Sequence, residues 1–513
     1  MPAPEEMSRA ELIALVGVQA QRIVGQDAQI SVMAGQVADL LERNESLVEQ
    51  NAQLAARLAR VEYLLSRNSG NSSSPPSKDD DLGRTPPKPK RRDDGSGRKR
   101  GKQPGAAGSN LAWRDVPDDQ QDRFPQGPCE CGADLGAGAD LGVVDRFQQH
   151  EIPLVAVRVT QYDQHAVRCG CGRVHTADRP EGARGGPVGY GPNLQAWAVF
   201  LMVVHFLPAQ RCVQLLESMT GAAPSVGFVH GMLARAAGLL HEVDKRIRAL
   251  ITLAHAVSMD ETPLRVGPRT PRPGRKKAEK YLLVACTALW THYQLGDRDL
   301  DTFKAFVLAE LSGGQVVVHD RYQNYDSQTF AGLLHQLCCQ HLLRDLAGAG
   351  EVYPDAVWPT QIADALRGLI HQANLARAAG APGIDPTTRD ELIYLFRQGV
   401  LVGLCDTDHH GQRPGERKAR LLLEMLRDRP GDVLRFAHDL AVPPTSNQAE
   451  RDLRPSKIQQ NISGRLTSEQ RTRDRYKILG YVSSAAKNGL NKMTVLRNAM
   501  RGRPWIPPLP AIT

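Results

Sequence analysis

The sequence has no apolar segment long enough to cross a membrane. Its longest apolar stretch, residues 194–207, is interrupted by Gln195 and His205, whereas a spanning helix needs about 20 apolar residues. The first ten residues are polar and lack the charged and then apolar form of a signal peptide. These absences predict a cytoplasmic protein with no membrane role, in which residues 194–207 form a buried helix.

Cysteine is also scarce, with 9 in 513 residues. So few thiols in an intracellular chain argue for reduced cysteines or metal ligands rather than structural disulfides. The chain is longer than the roughly 250 to 300 residues that one hydrophobic core supports. Because it also contains 34 prolines and 46 glycines, several modules joined by linkers are expected.

A heptad pattern occupies residues 8–67. Apolar residues or asparagines recur every seven residues from Ile23, and a second apolar series falls three positions later from Met33. This seam is typical of a coiled coil, and Asn44 and Asn51 at core positions favour a parallel dimer in register. The alternative is an amphipathic helix that packs on its own protein.

The net charge of +8 and the pI near 9.0 indicate an anionic partner, most simply nucleic acid. Nearly all of the excess lies in residues 84–102, after a run of small polar residues and prolines at 68–76 that offers nothing to bury. Residues 68–110 are therefore expected to be a disordered basic linker, either DNA-binding or merely solvated. The candidate DNA contacts in it are Lys88, Lys90, Arg91, Arg92, Arg98, Lys99 and Arg100.

Residues 111–180 contain two Cys-x-Cys-Gly sequences about forty residues apart. Two thiolate pairs can close a tetrahedral zinc site, and the glycines permit tight turns, although the usual spacing within a pair is two residues rather than one. Four packed free thiols are the alternative, and His165 and His175 are close enough to replace a ligand. Alternation in residues 146–168 predicts short strands. The candidate zinc ligands are Cys129, Cys131, Cys169 and Cys171.

Residues 188–250 are predicted to be helical. The helix from Gly191 is followed by segments at 211–219 and 226–240, the last capped by Ser225. This outline fits either a DNA-reading helix-turn-helix or a plain three-helix scaffold.

Strands are predicted at 256–266, 280–287, 291–295 and 315–320. The first carries Asp260 in its middle, where exposure alone would not place a carboxylate. The turn after it is a basic hairpin tip suited to phosphates, with Arg269, Arg272, Arg275, Lys276 and Lys277.

Two more acidic residues are candidates for the same site. Asp320 ends an apolar strand, where open sheets present their chemistry, although a cap or turn role is the alternative. Glu450 begins a helix capped by Ser446 or Asn447, and its alternative role is a surface ion pair four residues along. The candidate DNA contacts beside Glu450 are Arg451, Arg454 and Lys457.

The motifs around these acids resemble a known family. Asp-Glu-Thr-Pro at Asp260, His-Asp-Arg-Tyr-x-x-Tyr at Asp320 and Asn-x-x-Glu-Arg-x-x-Arg-Pro at Glu450 are similar to the transposases of bacterial insertion-sequence family sixty-six. The leader, the linker, the cysteine module and the helices follow in the family's order, so the resemblance covers nearly the whole chain. The sequence departs from the family in its cysteine spacing and in residues 106–108, where relatives often carry a histidine.

The resemblance implies a multidomain α+β protein whose catalytic domain is ribonuclease-H-like. Its expected parts are a coiled coil (8–67), a basic linker (68–110), a zinc-binding β module (111–180), a helical DNA-binding region (188–250), a catalytic domain (251–327 and 443–490), a helical insertion (328–442) and a C-terminal tail (491–513). Helical runs in the insertion are predicted at 330–346, 360–379, 387–404 and 416–426. Within the first run, Cys338, Cys339 and His341 are expected to be core residues.

By resemblance, Asp260, Asp320 and Glu450 take the places of the family's acidic triad, with two Mg²⁺ or Mn²⁺ ions. Two ions about 3.5 to 4 Å apart activate the attacking oxygen and stabilise the leaving one. Water would free a 3′ hydroxyl at the element end, and that hydroxyl would attack target DNA. Since neither step needs a covalent intermediate, the lack of a Ser or Tyr nucleophile motif is no objection. Glu261, beside Asp260, leaves the division of labour open.

The expected partners are double-stranded DNA at the element ends and at the target, a second or further copy through the coiled coil, and accessory proteins of the same element. The expected location is the nucleoid. A different reading is a dimeric zinc-containing DNA-binding regulator derived from a transposase, whose triad no longer acts. A third is a ribonuclease or resolvase that uses the same fold on another nucleic acid.

Overall fold

A computed structural model describes residues 8–72, 79, 84–86, 111–183, 185–271, 279–407 and 413–509. The polycation at 88–102 and most of the basic hairpin tip, at 272–278, lie outside these residues. No helix in the described ranges is long and apolar enough to cross a membrane. The chain divides into two compact units, one of residues 89–179 with 209–228 and the other of the remaining residues.

The N-terminal segment is one helix, α1, from Arg9 to Ser66. It begins with a capping box, in which the Ser8 hydroxyl accepts from the Glu11 backbone and the Glu11 carboxylate accepts from the Ser8 backbone. None of its residues is buried, and the heptad residues stay about half exposed, as Ile30 (58%) and Leu47 (56%) illustrate. Among the described residues, the apolar seam of this 58-residue helix is therefore uncovered.

The expectation of a disordered linker was wrong for residues 68–72, which follow α1. Asn68, Asn71 and Ser72 are only 4%, 3% and 6% exposed. The run contains no apolar side chain to bury, but its amides and hydroxyls bond to the turn's own backbone, which removes the cost of taking them out of water.

The cysteine module contains a two-stranded antiparallel sheet of β1 (Ala166–Arg168) and β2 (Val174–Thr176). The strands expected across residues 146–168 are absent except for the last three residues. Apolar side chains there stay in water, as Leu154 (102%) and Ile152 (81%) show. Alternation alone does not form a strand where no opposing surface buries its apolar face.

The larger unit is built on one five-stranded sheet. Its order is β5-β4-β3-β6-β7, with β3, β4 and β5 antiparallel and with β6 parallel to both β3 and β7. The strands are β3 (Ala256–Leu264), β4 (Lys280–Cys286), β5 (Thr291–Gly296), β6 (Val316–His319) and β7 (Leu334–Leu337).

Strand β7 was missed, since a helix was predicted from residue 330. The strand has only four residues and runs almost directly into a helix that begins at Cys339. A short apolar segment beside a helical period cannot be assigned by periodicity alone.

The prediction of a C-terminal tail from residue 491 was also wrong. Residues Lys492–Met500 form α14, which packs on α2 (Pro192–Val203), and Leu496 and Met500 are fully buried. The helices are α2 (Pro192–Val203), α3 (Ala209–Thr220), α4 (Val226–Leu239), α5 (His241–Thr252), α6 (Leu300–Ala305), α7 (Cys339–Val352), α8 (Trp358–Ala378), α9 (Pro386–Asp406), α10 (Glu416–Asp428), α11 (Pro430–His438), α12 (Asn447–Ile462), α13 (Glu469–Lys487) and α14.

Helices α7 to α11 share one hydrophobic core with the edge of the sheet. Trp358, Phe396 and Phe436 are fully buried in it, and Val318 of β6 and Leu337 of β7 belong to the same cluster. The helical segment between Asp320 and Glu450 therefore contributes a strand to the sheet and buries that strand with its own helices.

Removing a large side chain from this core is expected to destabilise the protein. Phe436→Ala should lower the free energy of unfolding by about 3 to 5 kcal/mol, because it removes buried surface and leaves a cavity. Leu421→Ala on α10, where the side chain is 54% exposed, should change it by less than about 0.5 kcal/mol. Urea unfolding followed by circular dichroism measures both, and equal losses would contradict a core shared by sheet and helices.

Candidate active site

The parallel pairing of β3 with β6 brings two of the predicted acids together. Ser258 lies opposite Val318 in this ladder, and two residues further along each strand are Asp260 and Asp320. Neighbouring strands are about 4.8 Å apart, and side chains at matching positions point to the same face. Asp320 is the first residue after β6, so it lies beside Asp260 at the strand's end.

A cluster of negative charge surrounds Asp260. Burial raises the pKa of Asp260 well above its ordinary value, and the charges of Glu261, Asp320 and Glu450 raise it further. Gathering carboxylates in a partly dry site is costly unless a cation joins them. Since carboxylate oxygens are the ligands that hard divalent ions prefer, the donor set fits Mg²⁺ or Mn²⁺.

Glu261 is already engaged in contacts of its own. Its carboxylate accepts from the Arg298 guanidinium at 2.6 Å and from the Tyr325 hydroxyl at 3.1 Å, and its side chain is 2% exposed. Burial and the charge of Asp320 raise the pKa of Glu261 to about 7, against the opposing effect of Arg298. These contacts distinguish the environment of Glu261 from that of Asp260, which the sequence could not do.

The two tyrosines of the His-Asp-Arg-Tyr-x-x-Tyr motif support this arrangement. Tyr325 bonds to Glu261, and the Arg298 guanidinium lies 3.7 Å from the centre of the Tyr322 ring. Arg298 thus combines an ion pair with a cation–π contact. The sequence signalled the tyrosines through the motif but gave no sign of Arg298.

The third acid, Glu450, lies in the first turn of α12 and faces α7. Its carboxylate is 3.9 Å from Nε2 of His341. Burial lowers the pKa of His341, but the hydrogen bond to Cys338 and the charges of Cys338, Asp320 and Glu450 outweigh burial and raise the pKa to about 9. Glu450 therefore pairs with His341 rather than forming the surface ion pair considered as its alternative.

Cysteine residues after β7 fix the start of α12. The Ser446 backbone donates to Sγ of Cys338 at 3.3 Å, and the Cys339 backbone donates to the Pro444 carbonyl at 3.0 Å. Ser446 occupies the N-cap position without a side-chain capping bond. Core packing thus describes both Cys338 and Cys339, which are 1% and 0% exposed. Cys338 also contacts the start of α12, and His341 lies beside Glu450 on that helix.

Asp452, two residues after Glu450, has a different environment. Its carboxylate accepts from Lys487 at 2.7 Å, from Thr291 at 3.0 Å and from Gln448 at 3.0 Å. Asp452 and Lys487 are 10% and 13% exposed. This pair joins α12 to α13 and β5, so it is part of the scaffold.

A second group of possible metal ligands lies behind Asp320. It consists of His319, Asp326 and His335, whose ligand atoms lie within 4.8 Å of one another. Nε2 of His319 is 3.0 Å from Nδ1 of His335, and both Asp326 oxygens accept from Arg429 at 2.9 Å. The imidazoles bond to each other and the carboxylate pairs with an arginine, while the buried Nδ1 of His319 has no hydrogen-bond partner.

The predicted zinc ligands form two separate turns. Gly132 and Gly172 have φ of 89° and 86°, the left-handed region that glycine adopts freely. In the part of the chain that the structure describes, no three of Cys129, Cys131, Cys169 and Cys171 gather within 4.8 Å. The zinc site stays a prediction.

The predicted DNA contacts are only partly within the described residues. Arg451, Arg454 and Lys457 are exposed on α12 beside Glu450, and Arg269 is exposed after β3. Lys88, Lys90, Arg91, Arg92, Arg98, Lys99, Arg100, Arg272, Arg275, Lys276 and Lys277 lie outside the described residues.

Comparison with known families decides the class of protein. Residues 188–473 match the family described as Transposase IS66 family, which is more than half of the chain. The chain belongs to the IS66 transposase family. Residues 14–112 match a family of unknown function (DUF6444), and no curated protein matches the chain.

The transposase match includes the sheet, the helical segment and all three acids. It begins before α2 and ends within α13. The match to the family of unknown function covers most of α1 and the basic segment after it. As an IS66 transposase, the protein is an enzyme that acts on DNA.

Neutralising two acids of α12 should affect stability to very different extents. Asp452→Asn should lower the free energy of unfolding by about 3 kcal/mol, because Lys487 is left buried without its charge partner. Glu450→Gln should cost less than about 0.5 kcal/mol, because it removes one charge from a repelling cluster. Guanidinium unfolding of the two variants tests this, and a larger loss for Glu450→Gln would contradict the assignment of Asp452 to the scaffold.

Proposed function

We propose that this IS66 transposase binds the terminal inverted repeats of its element and catalyses metal-dependent DNA cleavage and strand transfer. The observation that carries the proposal is the meeting of Asp260, Asp320 and Glu450, which come from two adjacent parallel strands and one helix. Acids drawn together against their repulsion are typical of functional sites.

We also propose that the catalytic domain is ribonuclease-H-like. The supporting observation is the mixed sheet, in which an antiparallel meander of β3, β4 and β5 is followed by β6 and β7, both added on the other side of β3. Its acids lie on the central strand, after the adjacent strand and on the packing helix α12.

Asp260, Asp320 and Glu450 would hold two divalent metal ions, Mg²⁺ or Mn²⁺. When bound, such ions supply an activated oxygen nucleophile at neutral pH and stabilise the leaving oxygen of a phosphodiester. Glu261 stays paired with Arg298 and Tyr325, so it positions β3 rather than joining the triad. Arg451, Arg454 and Lys457 would contact DNA phosphates beside the acids.

Neutralising the central acid should abolish cleavage without weakening DNA binding. Asp260→Asn should reduce cleavage of supercoiled plasmid carrying the element ends about a hundredfold or more in Mg²⁺ or Mn²⁺, because a metal ligand is lost. Gel-shift affinity for the end sequence should be unchanged.

Asp301→Asn is the matched control, since Asp301 is 95% exposed on α6, and it should cleave at the wild-type rate. Cleavage by Asp260→Asn at that rate would rule out the triad. DNA binding by the wild-type protein without any cleavage would instead favour the regulator.

We propose further that α1 forms a parallel coiled-coil dimer with a second copy. Its apolar seam is uncovered along the helix, which is roughly 87 Å long at 1.5 Å per residue. Asn44 and Asn51 interrupt that seam at positions where paired amides favour one register. The second copy would place two catalytic domains on one assembly, as two element ends require.

A charge in the seam should break this dimer. Leu47→Asp should convert the protein to a monomer at low micromolar concentration, because a carboxylate at a core position has no partner. Ser46→Asp introduces the same side chain one position away, outside the seam, and should stay dimeric. Light scattering after size exclusion gives both masses, and a dimeric Leu47→Asp protein would contradict the proposal.

A further inference from the structure

The turn that follows α1 is a structured element. The Asn68 backbone donates to Oδ1 of Asn71 at 2.8 Å, and the Gly70 backbone donates to Oδ1 of Asn68 at 2.9 Å. The Ser72 hydroxyl donates to the Asn68 carbonyl at 2.7 Å, and Nδ2 of Asn71 donates to the last carbonyl of α1, that of Ser66, at 3.0 Å. The spacing of asparagine and serine in this motif therefore builds a specific turn.

This turn is joined to α7 through one carboxylate. Glu351 accepts from Nδ2 of Asn71 at 2.6 Å and from Nη2 of Arg67 at 2.9 Å. The Arg67 side chain is 11% exposed and that of Glu351 is 30% exposed. A pair this well covered is screened by water less than a surface ion pair.

Two glycines shape the surface that receives the turn. A Cβ at Gly348 of α7 would overlap the Asn71 carbonyl and come within 2.8 Å of Nη1 of Arg67. Gly415, just before α10, has φ of 98°, and a Cβ there would lie 2.6 Å from the Tyr63 ring. The backbone therefore approaches the turn at Gly348 and α1 at Gly415 more closely than a side chain at either position would allow.

The same face of α7 reaches the candidate active site. Asp345, one turn before Gly348, is 2% exposed and pairs with Lys418 of α10 at 2.9 Å and with Arg321. Arg321 directly follows Asp320 and has φ of 52°, a strained conformation for a residue other than glycine. Asp345 and Asn71 line one crevice, so α7 pairs with the Arg321 side chain through Asp345 and with the turn through Glu351, six residues further along the helix.

We propose that the surface formed by α7 and α10 around Gly348 and Gly415 is an intramolecular docking site for residues 67–72, which fixes the end of α1 against the helix that holds Arg321. The site recognises a polar turn through the Glu351 carboxylate and through the absence of side chains at the two glycines. If α1 is the dimerisation helix of the proposed function, this contact sets the direction in which the catalytic domain projects from it.

Two glycine-to-alanine changes on α7 isolate the contact. Gly348→Ala should eject the turn, whereas Gly350→Ala adds a Cβ that meets only Pro359 at an ordinary 3.6 Å. Both changes raise helix propensity by a similar amount, so neither should unfold α7. In hydrogen-exchange mass spectrometry of the full chain, Gly348→Ala should speed exchange in residues 67–72 at least tenfold, with Gly350→Ala at the wild-type rate. Equal rates in all three proteins would overturn the proposal.

Charge exchange gives a second, independent readout. Arg67→Glu should speed exchange in the same segment, and adding Glu351→Arg should restore protection, because the opposite charges are again paired. Failure of the double variant to recover any protection counts against recognition through Glu351.

The functional consequence is tested separately from the docking. With Asp260-dependent cleavage of paired element ends established, Gly348→Ala should reduce it at least fivefold relative to Gly350→Ala. Cleavage equal in the two variants would refute the link to the active site. A wild-type protein without cleavage would refute the proposed function while leaving the exchange result to decide the docking.

Discussion

The parallel pairing of β3 with β6 is the constraint on which the candidate site depends. A ladder with Ser258 opposite Val318 fixes where Asp260 and Asp320 stand. Because side chains alternate between the faces of a strand, a slip of one residue would turn one of the two acids away. Val257, Val317 and Val318 are fully buried around the ladder, so the hydrophobic core that stabilises the sheet also specifies its register.

This arrangement concentrates negative charge, and the surrounding residues compensate for part of it. Arg298 pairs with Glu261, and His341 lies beside Glu450, while burial and the neighbouring acids raise the pKa of Asp260. A divalent cation is the natural complement of that remaining charge. On α12, Asp452 is saturated by scaffold contacts, which leaves Glu450 as the acid available to the cluster.

The helical segment between Asp320 and Glu450 is built into the site. It supplies β7, and the cysteines after that strand hold the start of α12. Its helix α7 carries Asp345, which pairs with the residue after Asp320, and Glu351, which pairs with the turn after α1. Helix α7 thus contacts both the residue next to Asp320 and the turn that follows α1.

Elements with local signals can be predicted from the amino-acid sequence. Periodicity predicts strands β3 to β6 and helices α1, α8, α9 and α10, because apolar and polar residues recur along each of them with the period of its secondary structure. The motifs named Asp260, Asp320 and Glu450. These three acids come together, however, only through the pairing of β3 with β6 and the position of α12. No local pattern distinguished Asp260 from Glu261.

Which polar residues are buried, and what they contact, depends on the folded chain. Asn68 and Asn71 are typical of a linker in composition, yet both are buried. Asn71 donates to Glu351, which is 280 residues away in the sequence. Strand β7 forms because its backbone pairs with that of β6. Helix α14 packs on α2 rather than forming a tail. Burial of a polar group depends on the partner that satisfies it, and that partner is brought near only when the chain folds.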